Sequence, residues 1–302
     1  QATRISGVLA DIWEVLADPV SGEEGGATVL LFPDCAAIEN SRGLQNLYAH
    51  LEVCQDACER FGTEVSIIPH PTGGRTNAPV PALVVQPVKG SGGGDSYDCD
   101  DDWDGDWDID RSLLGDDDES EMEGAEFGTG VGGELGGMKA LTAVPESDQE
   151  IIGVTKEWVQ AVITDMGVCP FSVDAARAGL PVGKVYYPVT RETSSEAIYR
   201  EYWREVERVV SEEDERALST TLLITPSFAL SNIEAFEVMG QTLTQPLESL
   251  HVEDDIQLVF FHPLYTFRDG QDRLGDSGAA NFARRSPFPM INILRTKQVC
   301  AP

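Results

Sequence analysis

The chain has 302 residues, with 52 Asp and Glu against 21 Lys and Arg, a formal net charge of -31 and a pI near 4.2. So acidic a molecule is repelled by phosphate backbones and anionic lipid surfaces, which argues against nucleic acid as a partner. No apolar run approaches the roughly 18 residues that a membrane span needs, and the length suffices for two domains with cores of their own.

At the N-terminal end Ile5, Val8, Leu9, Ile12 and Leu16 recur at helical spacing and predict a helix that stops near Pro19. A strand running to Phe32 follows, closed by Pro33-Asp34. Asn40 or Ser41 is placed to cap a long helix whose apolar stripe is Leu44, Leu47, Tyr48, Leu51, Cys54, Cys58 and Phe61, with Gly62 placed to stop it. Two β-branched runs, Val65 to Ile68 and Val80 to Val85, read as strands.

Beyond Pro87 the composition changes. Between Asp95 and Glu134 lie seventeen Asp or Glu and one base, Arg111, bracketed by glycine clusters. Such a segment repels itself and holds too little apolar surface to offset its ordering entropy, so a disordered acidic linker is expected over 90–146. Within it Asp100, Asp102, Asp104 and Gly105 imitate the opening of an EF-hand loop, but Arg111 stands at the twelfth position, where a bidentate Glu is required, so no metal site is expected. Trp103, Trp107 and Ile109 form a candidate linear docking motif for a basic protein partner.

Order is expected again near Val154. Thr155 can cap a helix with the stripe Trp158, Val159, Val162, Ile163 and Met166, ending before Cys169-Pro170-Phe171. Val185 to Val189 reads as a strand. Thr193 with Glu196 makes a capping box for a helix bearing Ile198, Tyr202, Val206 and Val209, and Ser231 with Glu234 makes another for a helix bearing Ile233, Phe236, Met239 and Leu243. Strands follow from Thr221, over Ile256 to Phe261 and over Met290 to Leu294. The alternation predicts an α/β or α+β two-layer sandwich.

Three stretches recur in the same order. Thr28 to Pro33 echoes Thr221 to Pro226, Ile67 to Pro71 echoes Val259 to Pro263, and Pro79 to Val85 echoes Pro287 to Ile293, at separations of 193, 192 and 208 residues. Three collinear matches predict two homologous modules in tandem: a shortened one over 1–89, the linker over 90–146, a second over 147–295 and a tail over 296–302. Six cysteines without a CxxC pair are expected to be reduced thiols in an intracellular or plastid compartment.

Trp158, Cys169-Pro170-Phe171, Gln257 before Phe261-His262-Pro263, and Arg285-Ser286-Pro287-Phe288-Pro289-Met290 together resemble the bacterial domain-of-unknown-function family numbered fourteen-fifteen, over about 154–295. That resemblance carries no known activity. The family's closing motif reads Asn-Arg-Ser-Pro-Tyr-Pro followed by a Leu-His-Leu-Leu-Arg run; here Arg284 replaces the Asn and Asn292 replaces the His. A His at 292 paired with His262 could serve a metal or a proton transfer, and Asn292 can do neither well.

The expected chemistry is accordingly thin: no catalytic residues, no metal and no cofactor. If an activity exists, Cys169, His262, Arg285 and Arg295 are the candidate pocket of an enzyme or small-molecule binder. The duplication, the anionic linker and the Cys-Pro-Phe to Ser-Pro-Phe-Pro frame resemble the diatom pyrenoid shell proteins. That resemblance implies a non-catalytic structural protein that assembles with copies of itself into a sheet-like shell, at the pyrenoid periphery in the plastid stroma.

Overall fold

The computed structural model describes residues 3–17, 28–39, 41–57, 63–71, 79–87, 144–165, 184–214, 220–269, 272–273 and 279–299. The expected linker with Trp103, Trp107 and Ile109, the EF-hand imitation, Cys58, Phe61, Gly62, Met166 and Cys169-Pro170-Phe171 lie outside them.

In the first half, helix α1 (Ile5–Ala17) buries Ile5, Val8, Leu9, Ile12, Trp13 and Leu16, the stripe expected from the spacing plus a tryptophan. Strand β1 (Thr28–Leu31) leads through a 3-10 turn (Ala36–Ile38) into helix α2 (Ser41–Ala57), and strands β2 (Thr63–Pro71) and β3 (Pro79–Pro87) follow. The sheet order is β1-β3-β2, all antiparallel. On α2, Leu47, Leu51 and Cys54 are buried, but Tyr48 is 41% exposed: it stands next to Leu47 on the turn and faces outward.

The second half opens with helix α3 (Asp148–Trp158), continued by a π-helical turn (Val159–Asp165). It begins earlier than the sequence suggests. Ser147 occupies the cap position in extended conformation, while Thr155 sits mid-helix with its hydroxyl donating to the Ile151 carbonyl at 2.8 Å. A threonine can close that internal bond as readily as it can cap a helix, which is why Thr155 misleads. Strand β4 (Val185–Tyr186) is shorter than expected, continued only by a bridge between Val189 and Ile224.

Helix α4 (Ser195–Ser211), strand β5 (Thr220–Ile224), helix α5 (Ile233–Ser249), strand β6 (Ile256–Phe261), the short hairpin β7 (Arg268–Asp269) with β8 (Asp272–Arg273), strand β9 (Met290–Arg295) and a last turn α6 (Thr296–Val299) complete the chain. Both expected capping residues are off by one. Ser194, not Thr193, accepts from the Ala197 amide, and Asn232, not Ser231, accepts from the Ala235 amide at 2.9 Å. This leaves Glu196 and Glu234 in the first turn, where the helix dipole favours them. The expected stripes are buried: Ile198, Tyr202, Val206 and Val209 on α4, and Ile233, Phe236, Met239 and Leu243 on α5.

The second sheet runs β4-β5-β9-β6, with β4 parallel to β5 and the other pairs antiparallel. Helix and sheet are thus mixed in an α+β arrangement, but the second sheet is not one layer of a two-layer sandwich. One face, with Leu223, Ile291 and Ile293, packs on α4 and α5, while the other, with Leu222, Ile224, Phe261 and Met290, packs on Ile151 and Trp158 of α3. Alternate residues of β5 therefore serve two cores.

α1 lies along α4 and α2 along α5. Residues of α1, α2, α4 and α5 form one contiguous core with Leu83 of the first sheet and Leu223, Ile291 and Ile293 of the second. Trp13 meets Tyr199 with ring centroids 4.5 Å apart, and Arg204 of α4 pairs with Glu14 of α1 at the rim. Each fully buried aromatic or aliphatic side chain in such a seam contributes on the order of 1.5–3 kcal/mol.

The ladders also correct one sequence echo. Leu31 opposite Ala82 and Ile224 opposite Met290 preserve the 193 and 208 separations. Ile68, however, lies opposite Ala82, and Phe261 lies opposite Met290. Counted along the ladders, β2 and β6 thus stand 193 residues apart, and the residue 193 before His262 is Pro69, not His70.

Candidate functional site

The family-like motifs meet where β5 and β6 end and β9 begins. Strand β6 delivers His262 one residue past its last ladder pair, and its amide donates to the Arg284 carbonyl at 3.1 Å. The ring is completely buried. Its Nε2 lies 2.9 Å from the carbonyl of Ala229 and its Nδ1 accepts from the Leu264 amide at 3.1 Å. Those partners fix the tautomer: Nε2 carries the proton and donates, and Nδ1 accepts. Both nitrogens are engaged by backbone, and the ring packs 5.2 Å from Phe236 of α5.

The Arg284 to Met290 segment is bound in from three sides. Trp158 Nε1 donates to the Arg285 carbonyl at 2.8 Å, and the Thr225 amide and hydroxyl both donate to the Pro289 carbonyl, at 2.9 and 3.1 Å. Asn281, buried, accepts from the Phe267 amide at 2.8 Å and through its carbonyl from the amides of Arg284 and Arg285. The guanidinium of Arg284 reaches the Phe260 carbonyl at 3.3 Å and stacks near Phe261 and Tyr265; that of Arg285 donates to the Tyr265 carbonyl at 2.9 Å over the ring of Phe282. Ser286 is buried, with its hydroxyl on the Phe288 carbonyl. Arg284, Arg285 and Ser286 thereby each brace a strand end or a turn.

The candidate pocket does not come together as a unit. His262 and Arg285 are neighbours through the Arg284 carbonyl, but Arg295 pairs in register with Ile256, at the opposite end of β6. Six strand residues separate the two ends, about 20 Å. Arg295 donates to the Glu212 carbonyl at 2.7 Å.

Position 292 is equally remote from His262. Asn292 lies opposite Leu222 and Val259, on the face covered by α3, and accepts from the Thr220 hydroxyl at 2.8 Å. His262 packs on α5, across the sheet. A histidine at 292 would stand on the other face, three ladder positions and about 10 Å along the strand, and could not share a ligand with His262. The Asn therefore says nothing about what His262 does. Among the described residues no group of three His, Cys, Asp or Glu can hold a metal ion.

A polar cluster that the sequence did not announce lies inside the helical seam. His50 of α2, fully buried, meets Gln245 of α5 through Nδ1 at 3.1 Å and the Cys54 sulfur one turn on, at 3.6 Å from Nε2. Tyr199 bonds Thr242 beside them. Burial drives the His50 imidazole down to about 4, against the pull of the Gln245 bond, and drives the Cys54 thiol up to about 12, against a hydrogen bond from Tyr199. Neutral imidazole and protonated thiol together make an inert pair, unlike the activated thiolate of a catalytic cysteine. The spacing of His50 and Cys54, four apart on one helix face, was the only sequence trace of it.

No curated protein and no solved structure matches the chain significantly. A family model does, over residues 150–301, and its description is a protein of unknown function, DUF1415. The matched region contains Trp158, His262 and the Arg285 to Met290 segment, so the chain belongs to the DUF1415 family.

Proposed function

We propose that this chain is a self-assembling structural protein without catalytic activity of its own, built from two copies of one module. The observation that carries the reading is how the motif polar groups are used. Both ring nitrogens of His262 are held by backbone, and Arg284 and Arg285 brace carbonyls of neighbouring turns. These are the duties of a frame.

The duplication is supported by the matching strand orders, β1-β3-β2 and β5-β9-β6, and by the pairing of like helices, α1 with α4 and α2 with α5. Ile12-Trp13 and Leu16 on α1 align with Tyr202-Trp203 and Val206 on α4, all buried. Such like-on-like packing is the geometry of a two-fold dimer enclosed in one chain. The dimer face is thereby used up, so further assembly falls to the outer surfaces.

One outer surface is prepared for it. Val29 and Leu31 occupy the ladder positions of Leu222 and Ile224, which α3 buries in the second half; in the first half they are 51% and 48% exposed. We assign this face to a second copy of the chain. The setting, a shell at the plastid pyrenoid, rests on the sequence resemblance and is tested by where a fluorescent fusion collects.

Assembly itself is tested by negative-stain microscopy and light scattering of the full chain at tens of micromolar. Sheets or discrete oligomers are expected, favoured by salt that screens the net charge. A monodisperse monomer across salt conditions refutes the proposal. Val29→Asp with Leu31→Asp is expected to abolish assembly while leaving the circular dichroism spectrum unchanged.

A further inference from the structure

The two sheets of this chain have the same makeup and unequal cover. Strands β1, β2 and β3, of 4, 9 and 9 residues, contain a single charged residue, Glu64, in a chain that is 24% charged. Strands β5, β6 and β9 likewise contain one, Arg295. So uncharged a composition belongs to a sheet buried on both faces, and in the second half it is: α4 and α5 pack on one side and α3 on the other. The first sheet sends Leu30 and Leu83 into the seam, but on its other face Val29 and Leu31 are left half in water.

The backbone register shows how far that face extends. Leu31, Ala82 and Ile68 stand in one cross-strand row, and Val29, Val84 and Ser66 in the row two residues away. None of the six is charged. Pairing along the free edge of β1 would still leave Val29 and Leu31 in water, so only a contact across the face buries them. What covers them has to be apolar too, since a carboxylate or ammonium brought onto this face would lose its hydration without gaining a partner. Elsewhere on the described surface, exposed aromatic side chains lie under cations, Tyr186 beneath Arg208 and Phe282 beneath Arg285, and offer a charged contact instead. The surface of a second copy that matches in composition is this same face.

We infer that two copies of the chain pack their first sheets face to face across a two-fold axis, with Val29, Leu31 and Val84 of one against the same residues of the other. The inference rests on the assembly reading and names the surface that the second copy brings. Three strands about 4.8 Å apart and nine residues long give a footprint of roughly 400 Å² per copy. The pair thus buries roughly 800 Å², less than the ~1,000 Å² of an interface that stands alone, so this contact forms within an assembly that has others.

Val84 provides the test, because it lies on the central strand opposite Val29, and in an isologous contact the middle of the face meets itself. Val84→Cys is made in the full chain, and an equal mixture of unlabelled and isotope-labelled protein at tens of micromolar is treated with a bis-maleimide whose reach matches the roughly 10 Å between stacked sheets. Peptide mass spectrometry is expected to find residue 84 joined to residue 84 in a mixed-isotope species. Labelling of the same site by a monofunctional maleimide is expected to slow by at least about tenfold between dilute and assembled protein. Val29→Asp with Leu31→Asp should remove both signals. An unchanged circular dichroism spectrum shows that the variant folds, and Ala82→Cys, two residues back on the same strand, repeats the test. Assemblies without an 84–84 link overturn this inference and leave the assembly reading standing; a monomer at every concentration overturns both. Protection of the site in the dilute monomer also refutes the inference, because the face is then covered from within the chain.

Discussion

Two buried ionisable groups make the stability of this chain a balance that can be tipped either way. His50 has its imidazole driven down from 6.5 to about 4 by burial. Glu205 on α4, 4% exposed, has its carboxyl driven up from 4.5 to about 7, chiefly by burial, with Arg208 opposing. For His50 the unfolded chain binds more protons between pH 4 and 6.5, so its contribution is fully present above 6.5 and is lost as pH falls towards 4. For Glu205 the folded chain binds more protons between 4.5 and 7, so its contribution is fully present below 4.5 and is lost as pH rises through 7.

Integrating each titration gives a loss on the order of 2–3 kcal/mol through His50 by pH 4.5 and a similar loss through Glu205 by pH 7. The two nearly cancel across the window. Urea unfolding at pH 4.5, 5.5 and 7 should therefore reveal each slope only when the other group is removed. His50→Gln should be more stable at pH 4.5 than at pH 7, relative to the wild type, by about 2–3 kcal/mol. Glu205→Gln should shift the opposite way by a similar amount. If both variants parallel the wild type across the window, the burial argument is wrong for these groups.

Further outcomes follow from single contacts. Asn232→Ala should cost about 1 kcal/mol in urea unfolding because it removes the cap on the Ala235 amide, while Ser231→Ala should cost little. Gly43→Ala should destabilise by about 1–3 kcal/mol, since a Cβ there would stand 1.8 Å from the Ala37 carbonyl oxygen and force α2 away from the preceding turn. Cys54, buried with its thiol pushed up to about 12, should resist thiol reagents until the chain unfolds, so its labelling rate should track the unfolding equilibrium under urea. Trp158→Phe should lose about 1 kcal/mol with the indole bond to the Arg285 carbonyl, without changing assembly.

The helices were legible in the sequence because each buries a stripe. Ile5 to Leu16, Ile198 to Val209 and Ile233 to Leu243 all fall where the period of 3.6 puts them. What a stripe does not tell is its partner: nothing in the residues of α1 says that it packs on α4 across 190 positions of chain. Capping failed by one residue at Thr193-Ser194 and at Ser231-Asn232, where two competent side chains stand side by side and only backbone conformation chooses. The site was read less well than the fold. His262 and Arg285 meet at one end of β6, as their motifs suggest, but Arg295 stands a strand length away at the other end.

The single core shared by the halves gives the long connection between β3 and α3 an unexpected standing. With α1 against α4 and α2 against α5, the halves are held by buried surface rather than by the peptide chain between them. The connection then acts as a source of effective concentration during folding and becomes dispensable once the seam has closed. A protease that cuts within 90–143 should leave a nicked molecule that elutes, melts and assembles as one body. Chain continuity and structural unity, the same thing in most proteins of this size, come apart here.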